Sequence, residues 1–330
     1  MKRVFCIGET LIDFIPVQKG KSLKEVTSFE RVAGGAPMNV AIAVAKYEGN
    51  SVMLTKIAKD SFGDYLVDVL QENGVDTSYL IRCNEGETGL AFVSVNGSGE
   101  RDFNFYRKNS ADLLLSPNEV KPEWFDKEDM LHFCSVDLVE SPMKQTHIEV
   151  INAFQATGGI VSFDPNVRLP LWPDKESCRR TILDFLPLAD LVKVSDEELF
   201  FITNIREEKE AISSLFVGNV KVVVYTKGKD GAMIYLKDGE QFEDKGFKVT
   251  VSDTTGAGDA FIGGFLSVLL SLDTSRDNLC QTVSEHHQQL LTFANASGAL
   301  TASVKGAIQA APGKQHILNF ISTQRSELMQ

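Results

Sequence analysis

The residues best suited to chemistry lie in one short string, Asp253 to Asp259, which reads Asp-Thr-Thr-Gly-Ala-Gly-Asp. Its three small residues, Gly256, Ala257 and Gly258, allow a backbone to come close to an anion. The long apolar run that follows predicts a helix, whose first turn presents unpaired N–H groups and about half a positive charge. Asp259 stands in that turn, where it could take a proton from an attacking hydroxyl. The string indicates phosphoryl transfer, with a capped turn before a buried helix as the competing interpretation.

The string matches neither of the two commonest phosphate-binding loops. A P-loop requires Lys followed by Ser or Thr after its last glycine, whereas Gly258 is followed by Asp259 and Ala260. A dinucleotide fingerprint would follow the first strand, yet Gly8 is followed by Glu9 and Thr10 with no further glycine nearby. A nicotinamide-dependent dehydrogenase is therefore excluded, and another class of phosphate-handling protein is indicated.

Composition predicts one soluble globular domain over residues 1–330. A chain of 330 residues that is 43% hydrophobic can bury one large core, and no linker or repeat divides it. The net charge of −12 and the lack of basic clusters argue against nucleic acid and membrane surfaces as partners. The five cysteines are scattered and form no Cys-x-x-Cys pair, which predicts a reduced, cytoplasmic protein. The longest apolar run, 260–272, is too short to span a bilayer.

Strand and helix patterns alternate along most of the chain, which predicts an α/β fold with a doubly wound, mostly parallel central sheet. The predicted strands are Val4–Ile7, Val52–Ile57, Leu131–Phe133, Ile160–Phe163, Leu191–Val194, Val220–Tyr225 and Ala232–Leu236. The predicted helices are Ala36–Lys46, Phe62–Asn73, Met143–Thr157, Ser177–Leu186, Glu207–Val217, Ala260–Leu272, Gln281–Leu300 and Lys314–Ser322.

Two stretches interrupt the alternation. Residues 14–32 and 89–105, the second with a Gly97-Ser98-Gly99 turn, favour short strands without an attached helix. They predict a small antiparallel sheet that forms a lid subdomain from about 14–33 and 88–108. Ordinary surface hairpins are the alternative.

Segments spread over nearly the whole chain together resemble one known family. They are Gly8–Asp13, Gly34–Ala41, Arg101–Arg107, Phe163–Arg168, Lys193–Glu198, Thr226–Gly228, the string ending in Asp259-Ala260-Phe261, and Phe293–Ala296. On these residues the chain resembles the ribokinase-like (PfkB) family of sugar kinases, and within it the fructokinases. The resemblance implies the ribokinase-like fold, ATP as phosphoryl donor and Mg²⁺ as its metal.

The resemblance also implies a sugar site. The residues assigned to it are Asp13, Gly34, Gly35, Asn39, Phe105 and Arg107. Their types suit the role, because a carboxylate accepts hydrogen bonds from two vicinal hydroxyls and an amide both donates and accepts. Alternation along a strand sends Phe105 and Arg107 to one face. Each assignment has a competing interpretation. Asp13 could be a solvated loop carboxylate, and the two glycines could mark a plain helix N-terminus. Arg107 could be a cation that protects a strand edge.

Further residues are assigned to the nucleotide and to metal ions by the same resemblance. Arg168 is expected to reach the transferred phosphoryl group or the sugar end near it. The nucleotide set comprises Lys193, Ser195, Thr226, Gly228 and Asn295, together with Gly256 and Gly258. Ser195 departs from the family, which usually has Asn at this position. Glu198 is expected to hold Mg²⁺ through water, and Asp253, Thr255 and carbonyls near 301–306 to hold a monovalent cation such as potassium.

The sequence therefore predicts an ATP-dependent kinase that phosphorylates a primary hydroxyl of a hexose, with Asp259 as general base. The backbone N–H groups of Gly256, Ala257 and Gly258 are predicted to form its anion hole. D-fructose, giving fructose 6-phosphate, follows from the resemblance. The alternatives are kinases for 2-keto-3-deoxygluconate, whose carboxylate could meet Arg107, for ribose or for a nucleoside. A regulatory homologue without catalysis is disfavoured by the intact Asp259. The sequence does not decide whether the chain forms a homodimer that shares the lid.

Overall fold

The structure, a computed structural model, describes residues 2–18, 20–95, 101–306 and 311–327. Its strands are β1 (Val4–Ile7), β2 (Leu11–Pro16), β3 (Phe29–Gly34), β4 (Ser51–Leu54), β5 (Lys56–Ala58), β6 (Ile81–Cys83), β7 (Gly89–Val95), β8 (Arg101–Tyr106), β9 (Met130–Cys134), β10 (Ile160–Asp164), β11 (Leu191–Ser195), β12 (Val222–Thr226), β13 (Ala232–Leu236) and β14 (Gln241–Asp244). Its helices are α1 (Ala36–Lys46), α2 (Ser61–Glu72), α3 (Pro142–Thr157), α4 (Lys175–Phe185), α5 (Asp196–Thr203), α6 (Glu208–Ser214), α7 (Ala257–Ser271), α8 (Leu279–Ser303) and α9 (Lys314–Glu327).

The central sheet has eight strands in the order β14-β13-β12-β11-β10-β9-β1-β4. Six neighbouring strands of this sheet pair in parallel: β12, β11, β10, β9, β1 and β4. Strands β13 and β14 extend the β12 edge by antiparallel pairing. Strand β1 shows why its sequence is continuously apolar: Phe5 and Ile7 pack in one core cluster, and Val4 and Cys6 pack in the other. A parallel strand covered by helices on both faces has no polar side. The predicted α/β fold is confirmed.

Helices cover both faces of this sheet. Residues of α1, α7 and α8 belong to one core cluster, and residues of α3, α4, α5 and α6 belong to the other. The contacts between α7 and α8 and between α1 and α7 make the first layer continuous. This layer is the one that carries Asn39 and Asp259, near the starts of α1 and α7.

A second, four-stranded sheet has the order β3-β2-β7-β8 and corresponds to the predicted lid. The pairs β2·β3 and β7·β8 are antiparallel, as expected, and they are joined by a parallel pairing of β2 with β7. The long connection between β3 and β7 brings the chain back in the same direction as β2, which a hairpin could not do. The Gly97-Ser98-Gly99 turn lies outside the described residues.

The predicted strand Val52–Ile57 is wrong as a single element. The central-sheet strand β4 ends at Leu54, and the next strand, β5, pairs instead with β6. The backbone N–H of Ile81 donates to the carbonyl of Thr55, between the two strands, so the chain leaves the central sheet at this point. The short helix α5 was also absent from the prediction, since eight residues carry little periodic signal.

The sequence predicts a reduced protein without a membrane-spanning segment, and the cysteines and helices can be compared with that prediction. All five cysteines are free thiols, and four of them are buried. Across the described ranges, no helix is both sufficiently long and sufficiently apolar to cross a bilayer.

Helices α1 and α7 approach each other closely because small residues meet at their contact. A Cβ atom placed on Gly263 would lie 2.7 Å from the Cβ of Ala43. That distance is shorter than two carbon atoms tolerate without movement, so the glycine sets the spacing of the helices. The same spacing brings the first turns of α1 and α7 together at the edge of the sheet.

We expect Gly263→Ala to lower the free energy of unfolding by about 1–3 kcal/mol, because the added methyl overpacks the contact. In an Ala43→Gly background the same change should cost little, since the space for one methyl is then available. Denaturant unfolding of the two single variants and the double variant measures this coupling. Equal costs of Gly263→Ala in both backgrounds would contradict the close contact.

Candidate functional site

The carboxyl ends of the parallel strands meet at one edge of the central sheet, and a cleft of about 750 Å³ opens there. Side chains from the ends of β10 and β11, from the start of α7 and from the small sheet all line it. The cleft contains most of the predicted site residues: Asp13, Gly35, Asn39, Phe105, Arg168, Lys193, Ser195, Glu198, Thr255, Gly256, Gly258 and Asp259. Such an edge is where open α/β sheets bind ligands.

Asp259 lies in the first turn of α7, and its carboxylate is buried between two amide donors. Asn39 Nδ2 donates to Asp259 Oδ2 at 2.6 Å, and Asn166 Nδ2 donates to Asp259 Oδ1 at 3.1 Å. Burial raises the pKa of Asp259, and the hydrogen bond from Asn39 and the charge of Arg168 oppose that rise. A carboxylate with a raised pKa at a helix start is suited to accept a proton.

The turn before α7 has the backbone geometry that its glycine permits. Gly256 has a φ of 74° in the left-handed region, where a glycine carries no steric cost. The N–H of Ala257 donates to the carbonyl of Thr254 at 3.2 Å. This differs from the expectation that Ala257 offers its N–H to an anion, because the turn itself uses that donor. The N–H of Gly258, the second residue of α7, has no acceptor within the helix, because the residue four positions back lies before α7 begins.

Lys193 lies at the centre of a buried group of charges. Its Nζ is 3.0 Å from Asp164 Oδ2, and a Cβ on Gly258 would lie 3.5 Å from the same nitrogen. Burial raises the pKa of Asp164 to about 7, although Lys193 opposes the rise. Burial also acts to lower the pKa of Lys193, but the charges of Asp164 and Glu198 outweigh it and raise that pKa. The structure thus places a lysine ammonium beside the start of α7, as a phosphate would require.

Ser195 and Glu198 form a capping box at the start of α5. The Ser195 hydroxyl accepts from the Glu198 N–H, and Glu198 Oε2 accepts from the Ser195 N–H at 2.9 Å. Glu198 Oε1 accepts from the N–H of Val167, also at 2.9 Å. The pKa of Glu198 is lowered, because the charge of Lys193 and these N–H donors outweigh burial. The carboxylate is therefore ionised and anchored, with lone pairs left for a water molecule.

No cluster of three or more metal-ligating side chains occurs within the part of the chain that the structure describes. Glu198 offers a carboxylate to a Mg²⁺ ion that is held by phosphate oxygens and water, and Mg²⁺ usually keeps several of its waters.

Asp13, in β2, lies close to Gly34 and Gly35 at the end of β3. Gly34 pairs with Leu11 across β2 and β3, and a Cβ on Gly34 would lie 2.2 Å from Asp13 Oδ2. Gly35 has a φ of 115°, and a Cβ there would lie 2.3 Å from the carbonyl oxygen of Glu9. Both glycines are required by close packing around the Asp13 carboxylate and the preceding turn. Packing within the chain therefore accounts for both glycines, and their place in a sugar site stays a prediction.

Arg107 does not lie in the cleft, in contrast to the prediction that it faces the sugar beside Phe105. It follows β8, and its guanidinium is buried in ion pairs with Asp112 and with Asp137, the latter at 2.5 Å. Strand alternation indicates which face a residue occupies, but here Asp112 and Asp137, both beyond the end of β8, draw the side chain inward. In this structure the guanidinium neutralises two buried carboxylates, and contact of Arg107 with a ligand stays a prediction.

Glu9 is a site residue that the sequence prediction missed. It lines the cleft, and its Oε1 accepts the N–H of Ala36 at 2.7 Å. Its Oε2 is buried and finds no hydrogen-bond partner among the residues that the structure describes. Burial and the nearby Asp137 raise the pKa of Glu9, against the charge of Arg107. The first N–H of α1 is thereby fixed by a side chain from the loop after β1. The Gly-Glu-Thr sequence there was a weak signal, because a polar residue after a strand is common.

Three of the residues that are predicted to contact the nucleotide do not line the cleft: Thr226, Gly228 and Asn295. Thr226 ends β12, and Gly228 has a left-handed φ of 54° just beyond it. Asn295 Nδ2 donates to Asp244 Oδ1 at 2.8 Å, which ties α8 to the end of β14. A role of Asn295 beside a base would require that this amide exchange its partner.

The loop expected to hold a monovalent cation is packed against the end of α8. Asp253 Oδ1 accepts from the N–H and the hydroxyl of Thr255, at 2.9 and 2.7 Å. The N–H groups of Ser252 and Asp253 both donate to the carbonyl of Ala302. The structure thus brings Asp253 and Thr255 next to the 301–306 segment, as a shared cation site would need.

The chain is similar in sequence and in fold to known carbohydrate kinases. The family model described as pfkB family carbohydrate kinase matches residues 1–314. The chain is 38% identical over 329 residues to Probable fructokinase-7 of Arabidopsis thaliana, covering 98% of this chain and 93% of that protein. The fructokinase of Xylella fastidiosa with bound ATP superposes with a TM-score of 0.89 and is 34% identical, covering 98% of this chain and 99% of that one.

A double mutant of the Vibrio cholerae fructokinase, solved with fructose, ADP and a potassium ion, has a TM-score of 0.85 to this structure. It is 32% identical and covers 97% of this chain and 98% of its own. The fold expected from the sequence resemblance is therefore confirmed as ribokinase-like.

We expect Arg107→Ala to lower the free energy of unfolding by about 3–5 kcal/mol, because it leaves two buried carboxylates without their cation. The exposed pair Lys305–Glu30, at 3.5 Å, supplies the control. Lys305→Ala should change the same quantity by less than about 1 kcal/mol. Chemical denaturation at neutral pH measures both. A similarly small effect in the two variants would show that the buried network around Arg107 is not structural.

Proposed function

The chain belongs to the pfkB family of carbohydrate kinases, and we propose that it is an ATP-dependent fructokinase that converts D-fructose to fructose 6-phosphate. The observation that carries the proposal is the buried Asp259 carboxylate at the start of α7, in one cleft with Asp13 and Arg168. A proton acceptor, a hydroxyl-binding carboxylate and a phosphate-binding cation are the groups that this reaction requires.

Fructose is favoured over an acidic sugar by the position of Arg107. Its guanidinium is paired with Asp112 and Asp137, so it is not available to a substrate carboxylate. This argues against 2-keto-3-deoxygluconate, for which a free arginine would be the natural partner. The relatives named as fructokinases, and the fructose and ADP bound in the Vibrio cholerae structure, support the neutral ketohexose. Kinases for ribose or a nucleoside remain the alternatives within the family.

The proposed reaction begins with fructose against Asp13, Gly35 and Asn39 in the cleft. Asp259 takes the proton of a primary hydroxyl, and the hydroxyl oxygen forms a bond to the γ-phosphorus of ATP. The bond between that phosphorus and the β–γ bridging oxygen breaks, and ADP leaves. A general base of this kind contributes about 10²–10⁴ in rate.

Charge that develops on the transferred group requires donors at the same place. We assign this role to the N–H groups of Gly256 and Gly258, to the Lys193 ammonium and to Arg168. Preorganised donors are worth about 3–4 kcal/mol each in comparable sites. The N–H of Ala257 joins them only if its bond to Thr254 opens when phosphate binds.

We assign metal ions to two places. Mg²⁺ would lie on the ATP phosphates, with Glu198 holding one of its waters, and it would neutralise phosphate charge. A potassium ion would lie between Asp253, Thr255 and the carbonyls at 301–306. The potassium bound in the Vibrio cholerae double mutant supports the second assignment.

The nucleotide contacts of Ser195, Thr226, Gly228 and Asn295 also belong to the proposal. A homodimer is also part of the proposal. A cytoplasmic location is proposed as well, and the five free thiols support it. Expected partners are the sugar and ATP, without nucleic acid or membrane.

We expect Asp259→Asn to lower kcat by at least about 10²-fold while the fold and ATP binding are retained, because the amide cannot accept the hydroxyl proton. Glu197→Gln is the matched control, since Glu197 is an exposed carboxylate that also lines the cleft. It should keep at least half of the turnover. Coupled measurement of ADP release with fructose compares them. Near-normal turnover of Asp259→Asn would refute the assigned base.

We expect Gly34→Ala to raise the KM for fructose about 10-fold or more, because its methyl would displace the Asp13 carboxylate. The KM for ATP should change little, since Asp13 is assigned to the sugar. Gly313→Ala is the control, as a Cβ there would meet no atom within 4 Å. Initial-rate kinetics with each substrate varied in turn give both constants. An unchanged KM for fructose would exclude Asp13 from the sugar site.

A further inference from the structure

We propose that Asn166 is a positioning residue for the base: together with Asn39 it holds the two oxygens of the Asp259 carboxylate and fixes the plane from which the proton is accepted. The inference rests on the proposed function, in which Asp259 is that base. It starts from two hydrogen bonds, one to each oxygen, at 2.6 Å from Asn39 and at 3.1 Å from Asn166. The two donors come from separate elements, since Asn39 lies in α1 and Asn166 lies in the loop after β10.

Two amide donors on two oxygens define the orientation of a carboxylate. Each carboxylate oxygen has two lone pairs, so each keeps one after accepting a single hydrogen bond. The carboxyl group cannot rotate about its Cβ–Cγ bond without breaking both contacts. The remaining lone pairs are therefore held in fixed directions before a substrate binds, which is the geometric requirement for efficient proton transfer.

The backbone at Asn166 is built to deliver its side chain to Asp259. Asn166 is buried and has a left-handed φ of 44°, a conformation uncommon for residues other than glycine. Its N–H donates to Asp164 Oδ1 at 3.1 Å, which closes the turn. Asp164 is in turn paired with Lys193. The turn, the ion pair and the amide thus form one connected unit at the end of β10.

A turn alone would not need an asparagine here. Glycine adopts a left-handed φ without strain, and the bond that closes the turn uses the backbone N–H, which glycine also has. The side-chain amide donates a further hydrogen bond to Asp259, and within the described part of the chain its buried Oδ1 has no partner. The side chain therefore serves the carboxylate, not the turn.

The electrostatic environment gives a readout that separates positioning from structure. The charged groups around Asp259 are Arg168 and Lys193, and Asp164 lies next to Lys193. Cys134 also faces it, as a thiol whose pKa is raised well above normal by burial. The amides of Asn39 and Asn166 both lower the pKa of Asp259. Loss of the Asn166 amide should raise that pKa, so that activity disappears at a higher pH on the acid side.

The test compares Asn166→Gly and Asn166→Asp by pH profiles of kcat/KM with fructose and ATP. Asn166→Gly keeps the left-handed turn and removes the amide. We expect its acid limb to move up by about 1 pH unit, the equivalent of one hydrogen bond to a charged group, and its plateau kcat to fall about 10-fold. Asn166→Asp places a second negative charge beside the base, so its acid limb should move further in the same direction.

Asn204 provides the matched control, because it also has a left-handed φ, of 56°, at the exposed end of α5. Asn204→Gly and Asn204→Asp should leave the acid limb and kcat unchanged. A wild-type acid limb and kcat in folded Asn166→Gly would overturn the proposal. If that variant does not fold, an unshifted acid limb in Asn166→Asp overturns it equally.

The outcome is distinguishable from failure of the proposed function. If Asp259→Asn is active, the base itself is misassigned. If Asp259→Asn is inactive and the Asn166 variants behave as wild type, only the positioning role fails.

Discussion

The burial of one carboxylate at the start of a helix is the constraint on which this site depends. Asp259 is removed from water, yet it accepts two amide hydrogen bonds and lies near two cations. Burial alone would keep the group protonated, and the donors and cations oppose that effect. The balance leaves a carboxylate that can still ionise and that is basic enough to accept a proton. In the proposed function, the rest of the cleft holds the sugar and the phosphate at that position.

The fold produces this arrangement from elements far apart in sequence. Asn39, Asn166 and Asp259 come from α1, the loop after β10 and the start of α7, and the parallel sheet brings all three to one edge. The helices α1 and α7 reach the required distance because Gly263 faces Ala43 at their contact. Glu9, from the loop after β1, accepts the first N–H of α1, the helix that carries Asn39. Packing and catalysis are connected through these short contacts.

Much of this was predictable from local sequence. The string around Asp259 combines small residues, a carboxylate and an apolar run, and each part has a local physical meaning. Gly34 and Gly35 likewise indicated close backbone approach. The partners of Arg107 were not predictable, since Asp137 lies 30 residues away and only tertiary structure brings it near. The roles of Glu9 and Asn166 were hidden for the same reason, because a polar residue after a strand looks like an ordinary loop residue. Strand β5 was missed because an apolar run does not reveal which sheet it joins.

The most direct test of the central claim is a structure of this protein with fructose and a non-hydrolysable ATP analogue. We predict that an Asp259 carboxylate oxygen lies about 2.6–3.2 Å from the primary hydroxyl oxygen to be phosphorylated. We also predict that the terminal phosphate lies at the start of α7, on the opposite side of that hydroxyl. A hydroxyl bound many ångströms from Asp259, with another group as its hydrogen-bond acceptor, would show that Asp259 is not the base.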